Sequence, residues 1–129
     1  MRVLFDTSAF LIAHSDPDRL GPHLEVVSRP DTERLVPAVV PWEITIKYDL
    51  GKLELPTPPQ QWFPAMMAAG AMRPVPIEPD HVLALGDLPP VHRDPFDRLI
   101  ITMARALDVP VLTSDRVFTD YPVEVLLLS

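Results

Sequence analysis

The chain has 129 residues, with 18 acidic against 11 basic side chains for a net charge of −7, 17 prolines and no cysteine. A chain of this length is expected to form one domain, residues 1–129, with a single substantial core, and leaves no room for a second. The missing cysteine excludes a disulfide framework and a thiolate-held metal, and the acidic balance excludes a broad basic surface that grips nucleic acid by phosphate contacts alone.

Arg2 to Phe5 is a short apolar run suited to a buried strand, and Asp6, Thr7 and Ser8 follow it as cap-type residues before a helical stretch, Ala9 to Ala13. This apolar start is too short to span a membrane, carries an acid inside it and lacks a small-residue cleavage site. It reads as strand and helix rather than as a signal, and a cytoplasmic protein with no membrane partner is expected. Asp6 falls at the strand's carboxyl end, where it also suits the cap of the next helix. Ser15 to Arg19 is a polar turn, Pro22 to Ser28 a helix, Arg29 to Glu33 a second turn and Leu35 to Val39 a small strand.

Pro41 is expected to open a helix, PWEITIKYDLGKL, with Trp42, Ile46 and Leu50 at four-residue spacing as its apolar side and Gly51 as its stop. Glu43 then sits in the first turn, where an acid favours the helix dipole and Lys47, four residues on, is a natural ion-pair partner. A proline-rich loop, Lys52 to Pro59, leads into a helix from Gln60 to Met72. Its Trp62, Phe63, Met66 and Met67 offer more apolar bulk than one face needs, as a core helix or, in part, as an interface with a partner chain. Pro74 to Ile77 is a strand and Pro79 to Leu88 a helix, with His81 placed at the surface. Pro89 and Pro90 break the chain before His92, which could contact a phosphate but is read first as a loop residue with no charge role. The four histidines show no spacing that zinc would need.

The stretch from His92 to Asp115, HRDPFDRLIITMARALDVPVLTSD, is the best specified. Asp94 is a natural N-cap, Pro95 suits the first helical position and Asp97 falls in the first turn. Phe96, Leu99, Ile100, Met103, Ala104 and Leu107 repeat at three- and four-residue spacing and define a buried face. Asp108 to Pro110 stops the helix, and Val109 to Thr113 is a strand delivering Ser114 and Asp115 at its carboxyl end. Val117 to Tyr121 is a short turn or helix and Val123 to Leu128 a terminal strand. Alternating short strands and helices predict an α/β fold, a three-layer sandwich whose central sheet is mainly parallel, of four to five short strands flanked by helices.

Such a sheet gathers element ends along one edge, and there the sequence places Asp6, Glu43, Asp97 and Asp115, with Asp94 as a fifth candidate. Like charges so gathered repel, and the nearby bases Lys47 and Arg98 are too few to neutralise them. A hard divalent cation is the expected remedy. All-oxygen ligation favours magnesium or manganese, and such ions activate water and stabilise the departing oxygen of a phosphodiester. Thr7, Ser8 and Ser114 are candidates to hold metal-bound waters.

Asp6 in FDTSAFL, Glu43 in PWEITIKYDLGKLELP, Asp97 in HRDPFDRLIITMA and Asp115 in VLTSD, in this order, closely resemble PIN-domain nucleases of the VapC toxin type. The resemblance covers nearly the whole chain, and its WEI-helix-GKLELP and HRDPFDRLI segments are the specific ones. One departure is Val40 and Pro41, where similar sequences often carry a small or hydroxylated residue. The resemblance implies a PIN-like domain with magnesium-dependent endoribonuclease activity, a homodimer, and inhibition by a small antitoxin protein of a toxin-antitoxin pair. By motif match, Asp6, Glu43, Asp97 and Asp115 take the places of the four metal-site acids; Asp94 also matches but is read first as the helix cap. Two other classes compete. A phosphatase with a nucleophilic aspartate would use Asp6, although Ser8 stands where its second acid is usually found. A binding module would keep the acids and act only by associating with a protein.

Overall fold

The computed structural model describes all residues, 1–129. Five strands form one sheet: β1 (Arg2–Phe5), β2 (Glu33–Pro37), β3 (Arg73–Val75), β4 (Val111–Thr113) and β5 (Val125–Leu127). Their spatial order is β3-β2-β1-β4-β5, and every neighbouring pair is parallel. Parallel pairing demands crossovers, and six helices supply most of them: α1 (Thr7–Ser15), α2 (Leu24–Ser28), α3 (Val39–Asp49), α4 (Pro59–Ala69), α5 (Pro79–Leu83) and α6 (Pro95–Leu107). Short 3-10 stretches at Pro17–His23, Ala84–Asp87 and Arg116–Asp120 complete the connections.

Period-two alternation divides β1, β2, β4 and β5 between two cores. Val3 and Phe5 of β1, Val36 of β2 and Leu112 of β4 join one cluster with Phe10 of α1, Ile44 of α3 and Met67 of α4. Leu4, Leu35 and Val111 face the other way, onto Leu99, Ile100, Met103 and Ala104 of α6. The result is the three-layer sandwich read from the sequence, with five strands. Burying each large side chain of α6 contributes about 2 kcal/mol, and the predicted face is the buried one. Only Phe96 and Leu107 at its ends stay partly exposed. Asp94 caps this helix as expected, its carboxylate accepting from the amides of Phe96 and Asp97. Asp108 ends it in the left-handed region, φ 55°, a conformation its short polar side chain tolerates.

Several local expectations are corrected. The helix α3 begins at Val39, two residues before Pro41, so Pro41 is its third residue, still in the turn whose amides need no intrahelical partner. Glu43 consequently stands in the second turn, which weakens the helix-dipole account of it. Trp42, Ile46 and Leu50 are exposed, while Val39, Val40, Glu43 and Ile44 make the buried side. The pattern had two apolar stripes, and packing chose the other. Conversely Trp62, Phe63, Met66 and Met67 of α4 pack on the core. The Pro22 to Ser28 helix divides into a 3-10 stretch and α2, and Pro79 to Leu88 divides likewise after Leu83. His81 is buried, not on the surface: its Nδ1 accepts from the amide of Glu78 at 2.9 Å and caps α5.

Sheet order places the site. The order in which strands are added to the sheet reverses between the parallel neighbours β1 and β4, and loops leaving those two carboxyl ends diverge to open a crevice. The helices α1 and α3 start at this edge because they leave β1 and β2, and α6 starts there because it must run back to begin β4. The helix α3 lies against both α1 and α6.

Candidate metal centre

Asp6 follows β1 directly and is fixed from three directions. Its Oδ1 accepts from Ser8 Oγ at 2.8 Å and from the Ala9 amide at 2.8 Å, which caps α1, while Oδ2 accepts from Thr113 Oγ1 at 2.5 Å. It is buried. Glu43, also buried, projects from α3 with Oε1 accepting from Thr7 Oγ1 at 2.7 Å and Oε2 paired with Lys47 Nζ at 2.6 Å. Asp115 leaves β4, accepts from the Val117 amide through Oδ1 and donates its own amide to Thr113 Oγ1. The Ser114 amide donates to Ser8 Oγ at 3.1 Å, tying the loop after β4 to the start of α1.

The four predicted acids Asp6, Glu43, Asp97 and Asp115, together with Asp94, line one cavity of about 250 Å³. Thr7, Ser8 and Lys47 line it too, whereas Ser114 only braces its rim through the backbone. The carboxylates ring the space without all touching: the tightest group of ligand-type atoms is instead His92, Asp94 and Asp97, mutually within 4.8 Å. A larger cavity of about 400 Å³ lies between α1, α2 and the end of α4, but it is lined mainly by apolar side chains with His14 and Arg34 and gathers no carboxylate. Chemistry, not size, singles out the acidic one.

Electrostatics bear the mark of crowded acids. Burial pushes the Asp6 carboxyl up to about 6, a rise limited by the Thr113, Ala9 and Ser8 hydrogen bonds and assisted by Glu43. Asp97 is pushed up to about 7, first by burial and then by Asp94, with Asp6 and Glu43 adding to it and the His92 contact opposing it. Lys47 is held above the usual lysine range, chiefly by its hydrogen bond to Glu43. It is the one cation among the lining residues. Arg98, counted from the sequence as a neutralising base, turns away and spends its guanidinium on the carbonyls of Leu85 and Pro89. The donor set therefore fits a hard divalent cation: all lining acids are oxygen donors, they outnumber their counter-charges, and two resist ionisation because burial and neighbouring acids disfavour their charge.

Two functional features escaped the sequence. Thr113, fully buried, bridges Asp6 and Asp115 through a single hydroxyl; its place in VLTSD beside Asp115 was the available signal. His92, read as a loop residue without a charge role, sets Nε2 3.0 Å from Asp97 Oδ2.

Sequence comparison matches residues 3–124 to the PIN domain. This chain belongs to the PIN domain family. Among solved structures its fold is similar to a chain of VapBC2 from Rickettsia felis bound to a promoter DNA fragment, at TM-score 0.75 and 15% identity over 100% of both chains. VapBC-1 from nontypeable Haemophilus influenzae aligns at TM-score 0.67 and 13% identity over 98% of each chain. DNA-bound VapBC from Salmonella typhimurium gives TM-score 0.67 and 13% identity over 98% of this chain and 97% of that one. At such identities the likeness speaks for the PIN fold alone. Comparison with curated proteins returns no match. No helix of this PIN domain is long and apolar enough to cross a membrane.

Proposed function

We propose that this PIN domain is a VapC-type toxin, a metal-dependent endoribonuclease that hydrolyses RNA phosphodiester bonds. The observation that carries the reading is the convergence of Asp6, Glu43, Asp94, Asp97 and Asp115 on one cavity at the sheet's switch point with a single lysine to offset them. Asp6, Glu43, Asp97 and Asp115 would hold Mg2+ or Mn2+, and a cation there supplies an activated water and charge stabilisation at the phosphate. The chain's own part is orientation. Ser8, the Ala9 amide and Thr113 fix the Asp6 carboxylate, and Thr7 and Lys47 fix Glu43. Exposed Arg93 and Arg116, each next in sequence to a site acid, offer the local positive charge that an RNA strand needs on a protein of net charge −7.

The phosphatase alternative fares worse on geometry. Both oxygens of Asp6 already accept hydrogen bonds, and the residue two places on, Ser8, is one of the donors. A carboxylate so occupied is a poor nucleophile and a good fixed ligand.

The partners in this reading are an RNA substrate, a cognate antitoxin protein and a second copy of the chain, in the cytoplasm. An antitoxin that offers an arginine to the acidic cavity would compete with the cation for the same oxygens. Self-association would draw on the exposed apolar stripe Trp42, Ile46 and Leu50, rather than on α4, whose large side chains pack inward.

The test is cleavage of single-stranded RNA by the purified protein. Cutting is expected with magnesium or manganese and not with calcium alone, whose larger and looser shell misplaces the water. Full activity in excess chelator sinks the metal mechanism, and no cleavage under any divalent ion leaves the binding module as the better account. Sedimentation of the chain alone reports on the dimer, and a monomer at micromolar concentration removes it.

A further inference from the structure

Arg98 stands next to Asp97 in sequence yet serves a different part of the molecule. From α6 its Nη2 donates to the carbonyl of Leu85 at 3.1 Å and its Nη1 to that of Pro89 at 2.9 Å, with Tyr121 Oη at 3.4 Å and the His92 carbonyl at 3.5 Å. A planar guanidinium suits such a fan of acceptors, since its five donors are fixed in one fork. Tyr121, buried, accepts the His92 amide at 2.7 Å. His92 therefore has both its amide and its carbonyl held, although it lies in an irregular segment behind two prolines.

With its backbone held, the His92 ring can reach only a small region, and what it reaches is Asp97 Oδ2. Asp6 and Glu43 each have several hydrogen-bond or ion-pair partners within the protein; the Asp97 carboxylate has His92 alone. The Asp97 side chain turns about two bonds, and without that contact no hydrogen bond to its oxygens would select one rotation over another.

We propose that His92, clamped by Arg98 and Tyr121, is a positioning residue for Asp97. In the tautomer that carries the proton on Nε2, the ring donates to Oδ2 and holds the carboxylate so that Oδ1 remains for the cavity. This rests on Asp97 being one of the acids of the proposed cation site. It gives the spacing of donor and acid within HRDPFD a physical purpose, since five residues of turn and helix start bring ring and carboxylate together. An orienting hydrogen bond of this kind typically changes metal affinity by about 10-fold to 100-fold.

The competing role for His92 is as a cation ligand itself, since a ring nitrogen lies within 4.8 Å of ligand atoms of both Asp94 and Asp97. Calorimetric titration of Mg2+ and of Zn2+ into chelator-stripped wild type, His92→Ala, His92→Gln and Tyr121→Phe separates the two. Positioning predicts that His92→Ala loses about 10-fold to 100-fold in Mg2+ affinity. His92→Gln, whose amide can donate in place of the ring, should recover most of that loss, and Tyr121→Phe, which keeps the buried ring and removes only the hydroxyl, should fall between. The inference is overturned if His92→Ala binds Mg2+ like wild type, if His92→Gln is as weak as His92→Ala, or if His92→Gln loses far more Zn2+ affinity than Mg2+ affinity, as loss of an imidazole ligand requires. Wild type that binds no divalent ion overturns it as well. RNA cleavage measured on the same preparations keeps the two proposals apart: wild type that binds Mg2+ but leaves RNA intact removes the nuclease reading, while the affinity series still decides the role of His92.

Discussion

Lys47 Nζ sits 2.6 Å from Glu43 Oε2, one turn along the same helix, and is the nearest thing to a resident cation in the acidic cavity. Its charge also acts on Asp94 and Asp97. A divalent ion approaching Glu43 must displace or share this contact, so Lys47 both supports the metal-free fold and opposes metal binding. Lys47→Met is expected to lower the melting temperature of the metal-free protein, by about 1 kcal/mol of stability because the half-exposed ammonium is screened by solvent. It should raise Mg2+ affinity and enlarge the magnesium-induced rise in melting temperature. Weaker Mg2+ binding in the variant would show that Lys47 orients Glu43 more than it competes.

Thr113 makes the converse prediction. Its hydroxyl donates to Asp6 Oδ2 and accepts from the Asp115 amide, and the side chain has no exposed surface. Thr113→Val keeps the shape but leaves a buried carboxylate oxygen and an amide without partners. A loss of about 1–3 kcal/mol of stability is expected, together with weaker Mg2+ binding as Asp6 loses one of its three fixing donors. Denaturant unfolding and calorimetry measure both. A variant as stable as wild type with unchanged Mg2+ affinity would remove Thr113 from the site.

What could be read from the sequence, and what could not, divides along contact range. The helix α6 was legible because its cap, its proline and its apolar repeat are all local, and β1, β4 and the acids at their ends were legible because short apolar runs followed by polar residues have few other uses. The start of α3 was misplaced because Pro41 is acceptable anywhere in a first turn, and its buried side was misassigned because spacing alone does not choose between the stripe 42, 46, 50 and the stripe 40, 44. Thr113 to Asp6 spans 107 positions and Tyr121 to His92 spans 29. Only the closed sheet reveals such pairs, and Arg98, adjacent to an acid in sequence, was credited with a charge role that its side chain does not take.

The raised Asp6 and Asp97 carboxyls give the metal-free protein a definite pH dependence. Asp6 is pushed up to about 6 and Asp97 to about 7, from an ordinary value of 3.8. Between about pH 4 and pH 7 the folded chain consequently holds more protons at these two groups than the unfolded chain does, so their contribution to stability falls as pH rises through that window and levels off above it. For buried Asp6 the change is on the order of 3 kcal/mol. His14, lowered by burial, acts in the opposite sense and reduces the fall. In chelator the melting temperature should drop from pH 5 to pH 8, and saturating Mg2+, which replaces the protons, should flatten or reverse that slope. A chelated protein that is more stable at pH 8 than at pH 5 contradicts the crowded-acid account.

Asp97 offers the sharpest separation of catalysis from structure. As the third residue of α6 it also stands where any acid favours the helix dipole, a role worth up to about 1 kcal/mol. If that were its only role, Asp97→Asn would lower the melting temperature by a little and leave RNA cleavage largely intact. The cavity predicts another pattern. With its carboxyl raised to about 7 by burial and by Asp94, Asp97 is costly when ionised, and an amide of the same size removes the repulsion while still accepting from His92. At pH 8 without metal the variant's melting temperature should therefore hold or rise. The magnesium-induced rise should shrink, because a ligand that binds only the folded state stabilises it in proportion to its affinity. RNA cleavage should fall by orders of magnitude. Melting with and without Mg2+, run beside an RNA assay, decides between the two, since a variant that melts lower, keeps its full magnesium response and still cuts RNA places Asp97 outside the site.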